Sequence, residues 1–321
     1  MVSMARKELL EYGPDNEVII NIRNGLITDY FSTRSWWSEE LLDQSKWHDS
    51  LKDDIHRHVV KRFNETLKYS VPWCSRVIDF PNAKVLEVGC GTGSSTAAYA
   101  AFCRELFAYD IDEGSTKAAK TRCRILGVDN ADIQYADPTR ILDSVQKEHA
   151  PESLDVIIMF AVLEHQTDLE RIESLELYWS RLKKGGHLVI AETPNRLTYF
   201  DWHTSKMSFF HILPKEIQFR YLSRVPRKDF SANVITQFER NGYEAAMSSL
   251  SRWGQSVSFH DIEIVVGDLR NLTVLDGFEP EILEQRPIRP EETLLHNYFL
   301  NKNIGVPLGY ARYSLDVVLQ K

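Results

Sequence analysis

The sequence predicts an α/β fold, a doubly wound sheet that is mostly parallel and covered by helices on both faces. Three observations carry this. Apolar runs of strand length alternate with amphipathic helical patterns between residues 84 and 191. The runs are almost continuously apolar, most of all LDVIIMF at 154–160, as strands buried on both faces are. The first run closes on alternating glycines, Gly89, Gly91 and Gly93, which let a strand turn sharply into a helix.

In chain order, residues 1–30 give no clear pattern. From Ser35 to about Tyr69 the pattern is helical. Val59, Phe63 and Leu67 recur every four residues on one face, Trp36, Trp37 and Trp47 add aromatic bulk, and Pro72 is expected to interrupt the helix. Strands follow at Lys84–Val88, 105–109 (ending at Asp110), 132–136 (ending at Asp137), Leu154–Phe160 and 187–191. Helices are expected over 94–103, over 115–126 with Gly127 as its C-cap, and over 168–182 up to Gly185 and Gly186. A helix at 231–240 stops at Gly242. Residues 243–248 are read as a sixth strand and 313–319 as the last, with an insertion of loops and short helices at 250–310 that carries Pro280, Pro287, Pro290 and Pro307.

Composition narrows the function. With 43% hydrophobic and 26% charged residues the chain has an ordinary globular balance. The longest apolar run, 156–163, is far short of the ~20 residues a membrane helix needs. The opening MVSMARKELLEYG lacks the apolar core of a signal peptide, so no membrane span and a cytoplasmic location are expected. A net charge of -8 argues against a nucleic-acid partner. Cys74, Cys90, Cys103 and Cys123 form no C-x-x-C pair, so neither a disulfide framework nor a zinc site is expected, and no metal is called for. Oligomeric state is not legible.

The glycine turn is the centre of the functional reading. Backbone without side chains can approach a ligand closely, and the helix that follows offers free N–H groups. Dinucleotide-binding folds favour G-x-G-x-x-G. Here the spacing is G-x-G-x-G, preceded by Glu87, with Asp110 nineteen residues after Gly91 and Asp137 closing the third strand. This combination resembles the motifs of class I S-adenosylmethionine-dependent methyltransferases over residues 84–193, and MFAVLEH at 159–165 resembles the post-strand motif of the ubiquinone-biosynthesis type. The resemblance implies a Rossmann-like seven-stranded sheet ending in an antiparallel hairpin, and S-adenosyl-L-methionine as cofactor. It implies that Glu87, Gly89 and Gly91 hold the methionine end, with Gly93 in the same turn. Asp110 would take both ribose hydroxyls, Asp137 the adenine amino group, and Phe160 a place beside the methionine moiety.

Ligands of such sheets gather beyond the carboxyl ends of the strands. Two segments there carry proton-transfer chemistry. One is LEH, with His165. The other is 193–214, with Tyr199, Asp201, Trp202, His203, Phe209, Phe210 and His211. The second resembles a segment of bacterial methyltransferases that modify glycans or lipid-linked saccharides. His165, His203 and His211 are the candidate bases for an oxygen acceptor. Capping by His165, and loop anchoring by His203 and His211, are the structural alternatives. His56 and His58 diverge on a helix and are read as surface, and His260 could reach the site from the insertion.

The organisation expected is a helical cap at 1–75 and a methyltransferase domain at 76–321. The acceptor-side loop would be 193–214 and the insertion 250–310, and the acceptor a small molecule or saccharide. An N-methyltransferase of a small amine, a nicotinamide-dependent dehydrogenase and a non-catalytic cofactor-binding module are the alternatives.

Overall fold

The computed structural model describes residues 16–31 and 55–321. The expectations for Trp36, Trp37 and Trp47 fall outside the described residues. The chain divides into two compact units. The first holds the described residues up to Phe160 together with Gly185–His187, and the second holds Ala161–Lys184 and Leu188–Lys321. Seven strands form one sheet in the order β3-β2-β1-β4-β5-β7-β6.

In the first unit, α1 (Glu17–Asp29) is capped by Asn16, whose side chain accepts from the Val18 N–H at 2.9 Å. Residues 55–74 form a second helix, α2, in which α and wide π turns alternate. It runs on through Pro72 rather than stopping there. Proline lacks an N–H, and a π turn at Thr66–Ser70 immediately before it loosens the i→i−4 ladder that proline would otherwise break. Val59 and Phe63 are buried as their spacing requires. The central strands are β1 (Lys84–Val88), β2 (Glu105–Asp110), β3 (Ala131–Tyr135) and β4 (Leu154–Phe160). β1 pairs in parallel with both β2 and β4, Val85 facing Leu106 on one side and Val156 on the other. Between them lie α3 (Ser94–Ala100), α4 (Glu113–Leu126), closed by Gly127 at φ 66°, and α5 (Ile141–Glu148). α3 is shorter than expected, ending at Ala100.

In the second unit, α6 (Asp168–Arg181) opens with a capping box between Thr167 and Glu170. β5 (Leu182–Pro194) is much longer than the expected strand and includes the two glycines. Residues 243–248 are not a strand. They open α9 (Tyr243–Arg252), which follows α7 (Lys215–Tyr221) and α8 (Lys228–Asn241). YEAAMS is rich in strong helix formers, and Ala246 and Leu250, one helical turn apart, are both buried. These helices enclose their own small core of Phe210, Leu222, Val225, Phe230, Val234, Ala246 and Leu250. The sixth strand lies inside the expected insertion. β6 (Thr273–Leu275) comes after α10 (Phe259–Val266) and α11 (Leu269–Leu272), and α12 (Pro280–Gln285) and α13 (Glu292–Lys302) lead to β7 (Ser314–Gln320). β6 pairs antiparallel with β7, which gives the expected terminal hairpin. Buried Arg286 ties this end together, donating to both Asp316 oxygens at 3.0 and 2.7 Å and to Glu192 at 2.7 Å. Among the described residues no helix is long and apolar enough to cross a membrane, and all four cysteines are buried.

Candidate functional site

The glycine turn in the first unit is built from left-handed backbone. Gly89, Gly91 and Gly93 have φ values of 72°, 51° and 76°. Their roles differ. A Cβ on Gly93 would stand 2.7 Å from Cα and Cβ of Ala119 on α4, so this glycine permits close packing of turn and helix. A Cβ on Gly91 would meet nothing within 4 Å, so here the backbone faces open room. The N–H of Gly91 donates to Asp110 Oδ2 at 2.7 Å, and the Asp112 N–H donates to Asp110 Oδ1 at 2.9 Å. Asp110 thus ties the end of β2 to the glycine turn. Asp112 is the N-cap of α4, accepting from the Ser115 N–H at 2.7 Å.

Glu87 is fully buried at the end of β1. The Ser95 hydroxyl donates to Oε1, while Oε2 is buried and meets no hydrogen-bond partner among the described residues. Burial pushes its carboxyl up to about 7, with the Ser95 and Thr96 hydroxyls pulling the other way and Asp110 adding to the rise. A carboxylate held like this has one oxygen in want of a donor or a cation.

Asp137 is exposed and caps its own turn. The Thr139 N–H donates to Oδ1 at 2.8 Å and the Thr139 hydroxyl to the same atom at 2.6 Å. These bonds, the hydroxyl first, hold its carboxyl below the usual range. Phe160, at the end of β4, is 8% exposed. Ile111, next to Asp110, is 45% exposed and offers apolar surface that the sequence reading did not single out.

α2 braces the turn. His58 is half-buried rather than free surface, with Nδ1 3.1 Å from the Thr92 hydroxyl, and the Ser94 hydroxyl donates to the His58 carbonyl at 3.0 Å. Buried Arg122 of α4 donates to the carbonyls of Thr92 and Val59, at 3.0 Å each, and to that of His58. With no carboxylate among these partners, burial lowers the guanidinium pKa to about 10. An arginine mid-helix gave no sequence signal for this function, because its partners are backbone carbonyls. His56 is exposed, as expected.

In the second unit the three histidines separate. His165 and His203 come together, ring centroids 5.5 Å apart, and His211 does not join them. His211 Nε2 donates to the Thr198 carbonyl at 2.8 Å, while its buried Nδ1 meets no partner among the described residues. Burial lowers its pKa. The 193–214 segment is pinned rather than loose. Asp201, 2% exposed, accepts from the N–H groups of His203, Thr204 and Ser205 at 3.1, 2.8 and 2.7 Å. Asn195 donates to the carbonyls of Tyr310 and Arg312 at 2.7 Å each. His203 is pushed down to about 4, by burial first and then by the charges of His165, Arg227 and Lys206, with Asp201 opposing. His260 is exposed and stacks on Phe259, centroids 3.9 Å apart. The sequence showed no metal-ligand cluster, yet Glu164, His165 and His203 bring ligand atoms within 4.8 Å of one another. Sequence spacing could not reveal this, since His203 arrives from beyond β5.

Residues 85–186 match the family model of a methyltransferase domain. The "Probable S-adenosylmethionine-dependent methyltransferase" of Mycobacterium tuberculosis is 28% identical over 158 residues, 49% of this chain and 50% of that protein. An uncharacterized methyltransferase of Bacillus cytotoxicus is 25% identical over 180 residues, 55% of this chain and 77% of its own. Among solved structures, a SAM-dependent methyltransferase from Aquifex aeolicus has a TM-score of 0.35 at 17% identity, covering 41% of this chain and 68% of its own. YcgJ from Bacillus subtilis has a TM-score of 0.38 at 11% identity, covering 76% and 92%. The chain spans about half the length of the Mycobacterium relative.

Proposed function

We propose that this chain, which carries a class I S-adenosylmethionine-dependent methyltransferase domain at residues 85–186, transfers a methyl group to an oxygen of a small molecule or saccharide. The observation that carries the reading is Glu87, buried beside a glycine turn that leaves open room at Gly91, with one carboxyl oxygen that meets no hydrogen-bond partner among the described residues. A cationic amino-acid end bound against open backbone is what such a pair suits.

In this reading Glu87 faces the methionine ammonium, and the backbone at Gly89 and Gly91 lies along that moiety. Asp110 adds ribose hydroxyls to the two N–H donors it already accepts, which rigidity of the turn favours. Ile111 offers its apolar side chain to the adenine, Asp137 accepts from the amino group, and Phe160 excludes water near the methionine. The cofactor supplies an electrophilic methyl on a sulfonium. The protein's remaining work is to align an acceptor and remove its proton.

The base is drawn from His165, His203 and His211. The low pKa of His203 keeps that imidazole neutral throughout the physiological range and makes it a weak base. The same reading takes 1–75 as a helical cap and 76–321 as the catalytic domain, with 193–214 and 250–310 contributing to the acceptor side, in a cytoplasmic setting.

The test is label transfer. The full chain is incubated with methyl-labelled S-adenosylmethionine and two acceptor pools, one of saccharides and other hydroxyl compounds and one of amines. Label in the hydroxyl pool, with S-adenosylhomocysteine released in step, is the expected result. Label in amines alone would make the enzyme an N-methyltransferase. Reduction of NAD by a hydroxyl substrate without release of S-adenosylhomocysteine would overturn the reading.

A further inference from the structure

The second unit holds three side chains, two of them candidate bases, whose clustering around one point the methyl-transfer reading does not require. Glu164 and His165 sit on a single 3-10 turn after β4, and His203 comes from the segment after β5. Glu164 is fully buried, and its Oε1 lies 3.9 Å from His165 Nε2.

Both imidazoles are oriented by their other nitrogen. His165 Nδ1 is 2.9 Å from the carbonyl oxygen of Arg252. A carbonyl can only accept, so Nδ1 carries a proton, and in the neutral ring Nε2 keeps its lone pair. The Thr204 hydroxyl donates to the Gly254 carbonyl at 2.5 Å, which leaves its oxygen to accept from His203 Nδ1 at 3.1 Å. His203 Nε2 is therefore also the bare nitrogen. A ring that gives its N–H to a backbone carbonyl or hydroxyl and presents the opposite lone pair is the usual disposition of a metal-bound histidine.

The scaffold is specific to this cluster. Arg252 donates from Nη1 to the His165 carbonyl at 3.1 Å and pairs with Glu170 at 2.8 and 2.5 Å. The Gln255 N–H donates to the Glu164 carbonyl at 2.6 Å. Gly254, at φ 112°, makes room for the second ring, since a Cβ there would lie 2.4 Å from His203 Cε1. Residues 252–255 thus fit around the turn that carries two of the three groups.

We propose that Glu164, His165 and His203 form a binding site for a divalent first-row transition ion such as Zn²⁺. Two imidazoles and one carboxylate suit such an ion rather than Mg²⁺ or Ca²⁺, which prefer oxygen. Two ligands about 2.1 Å from one ion at the tetrahedral angle stand roughly 3.4 Å apart. The present spread of up to 4.8 Å closes to that by small rotations, for which half-exposed His165 has room. Three protein ligands leave a coordination position for water or a ligand oxygen. Occupation withdraws His165 and His203 from proton transfer.

The site stands apart from the cofactor reading and is tested without turnover. The tag-free chain, stripped with a chelator, is titrated with Co²⁺, followed by its visible absorption, and with Zn²⁺ by calorimetry. One ion per chain is expected, with little response to Mg²⁺. Glu164→Gln, His165→Ala and His203→Ala should each weaken Zn²⁺ binding by at least ~10-fold, and Gly254→Ala should weaken it through His203. His56→Ala should leave it unchanged. His165→Ala removes a half-exposed ring, so that variant keeps the test valid if His203→Ala fails to fold. Absence of Co²⁺ uptake, or uptake unchanged in Glu164→Gln and His165→Ala, overturns the proposal. Binding of S-adenosylhomocysteine to the metal-free protein is measured alongside, so that failure of the metal site and failure of the cofactor reading are told apart.

Discussion

Replacing Glu87 by glutamine keeps the size of the side chain and removes its charge. In the ligand-free protein the carboxyl is raised to about 7 from an ordinary 4.5, with burial the main cause. The folded state therefore binds this proton more tightly than the unfolded chain. The group's contribution to stability is intact below about pH 4.5 and is lost as pH rises through about 7, by roughly 3 kcal/mol at ~1.36 kcal/mol per unit. Binding has the opposite slope. If the cofactor's ammonium pairs with the Glu87 carboxylate, the ionised fraction limits affinity, rising from ~1% at pH 5 to ~50% at pH 7. Wild-type affinity for S-adenosylhomocysteine should rise ~50-fold over that interval and then level off. Glu87→Gln should be flat with pH. It should match wild type at pH 5 and bind ~10- to 100-fold more weakly at pH 7.5, the value of a charge-assisted hydrogen bond. Calorimetry at four pH values, with thermal unfolding of the ligand-free proteins alongside, reads both slopes. A wild-type affinity that does not change between pH 5 and 7.5, or a variant equal to wild type at pH 7.5, would refute the pairing.

The two glycines make a contrasting pair. Gly93→Ala drives a methyl against the backbone of α4 and should cost ~1–3 kcal/mol of stability. Gly91→Ala meets open room and should cost only the ~1 kcal/mol of left-handed backbone, yet weaken S-adenosylhomocysteine binding at least tenfold. Chemical denaturation and calorimetry on both variants separate the effects, and equal losses of both properties would contradict the assignment. Asp110→Ala should weaken binding at least tenfold, and it should also lower the denaturation midpoint, because the Gly91 and Asp112 N–H groups lose their acceptor. An unchanged dissociation constant would place the ribose elsewhere.

Much of the first unit was legible because its elements are strongly patterned. LDVIIMF at 154–160 and KVLEV at 84–88 bury nearly every residue, and Gly127 closes its helix as a left-handed cap. The second unit was harder to read, for physical reasons. YEAAMS carries both strand-like and helix-like spacing, and burial of Ala246 and Leu250 against a local core decided it. β6 is three residues long, too short to announce itself, and it is defined by pairing with a strand about forty residues later. The acidic residues Glu87, Asp110 and Asp137 were visible as residues, but not their states. That Glu87 is buried with one oxygen unpartnered among the described residues, while Asp137 already caps a turn, depends on neighbours that no spacing encodes. Arg122 and Gly254 went unseen for the same reason, since each matters through backbone or ring atoms brought from a distance.

The central claim is that the glycine turn, with Glu87 and Asp110, holds S-adenosylmethionine and not a dinucleotide. The most direct measurement is isothermal titration of the chain at pH 7.5 with S-adenosylhomocysteine and, separately, with NAD. Saturable binding of S-adenosylhomocysteine at one site per chain is expected, weakened in Glu87→Gln and Asp110→Ala, with no heat of binding from NAD. Saturable binding of NAD, with no response to S-adenosylhomocysteine, would contradict it.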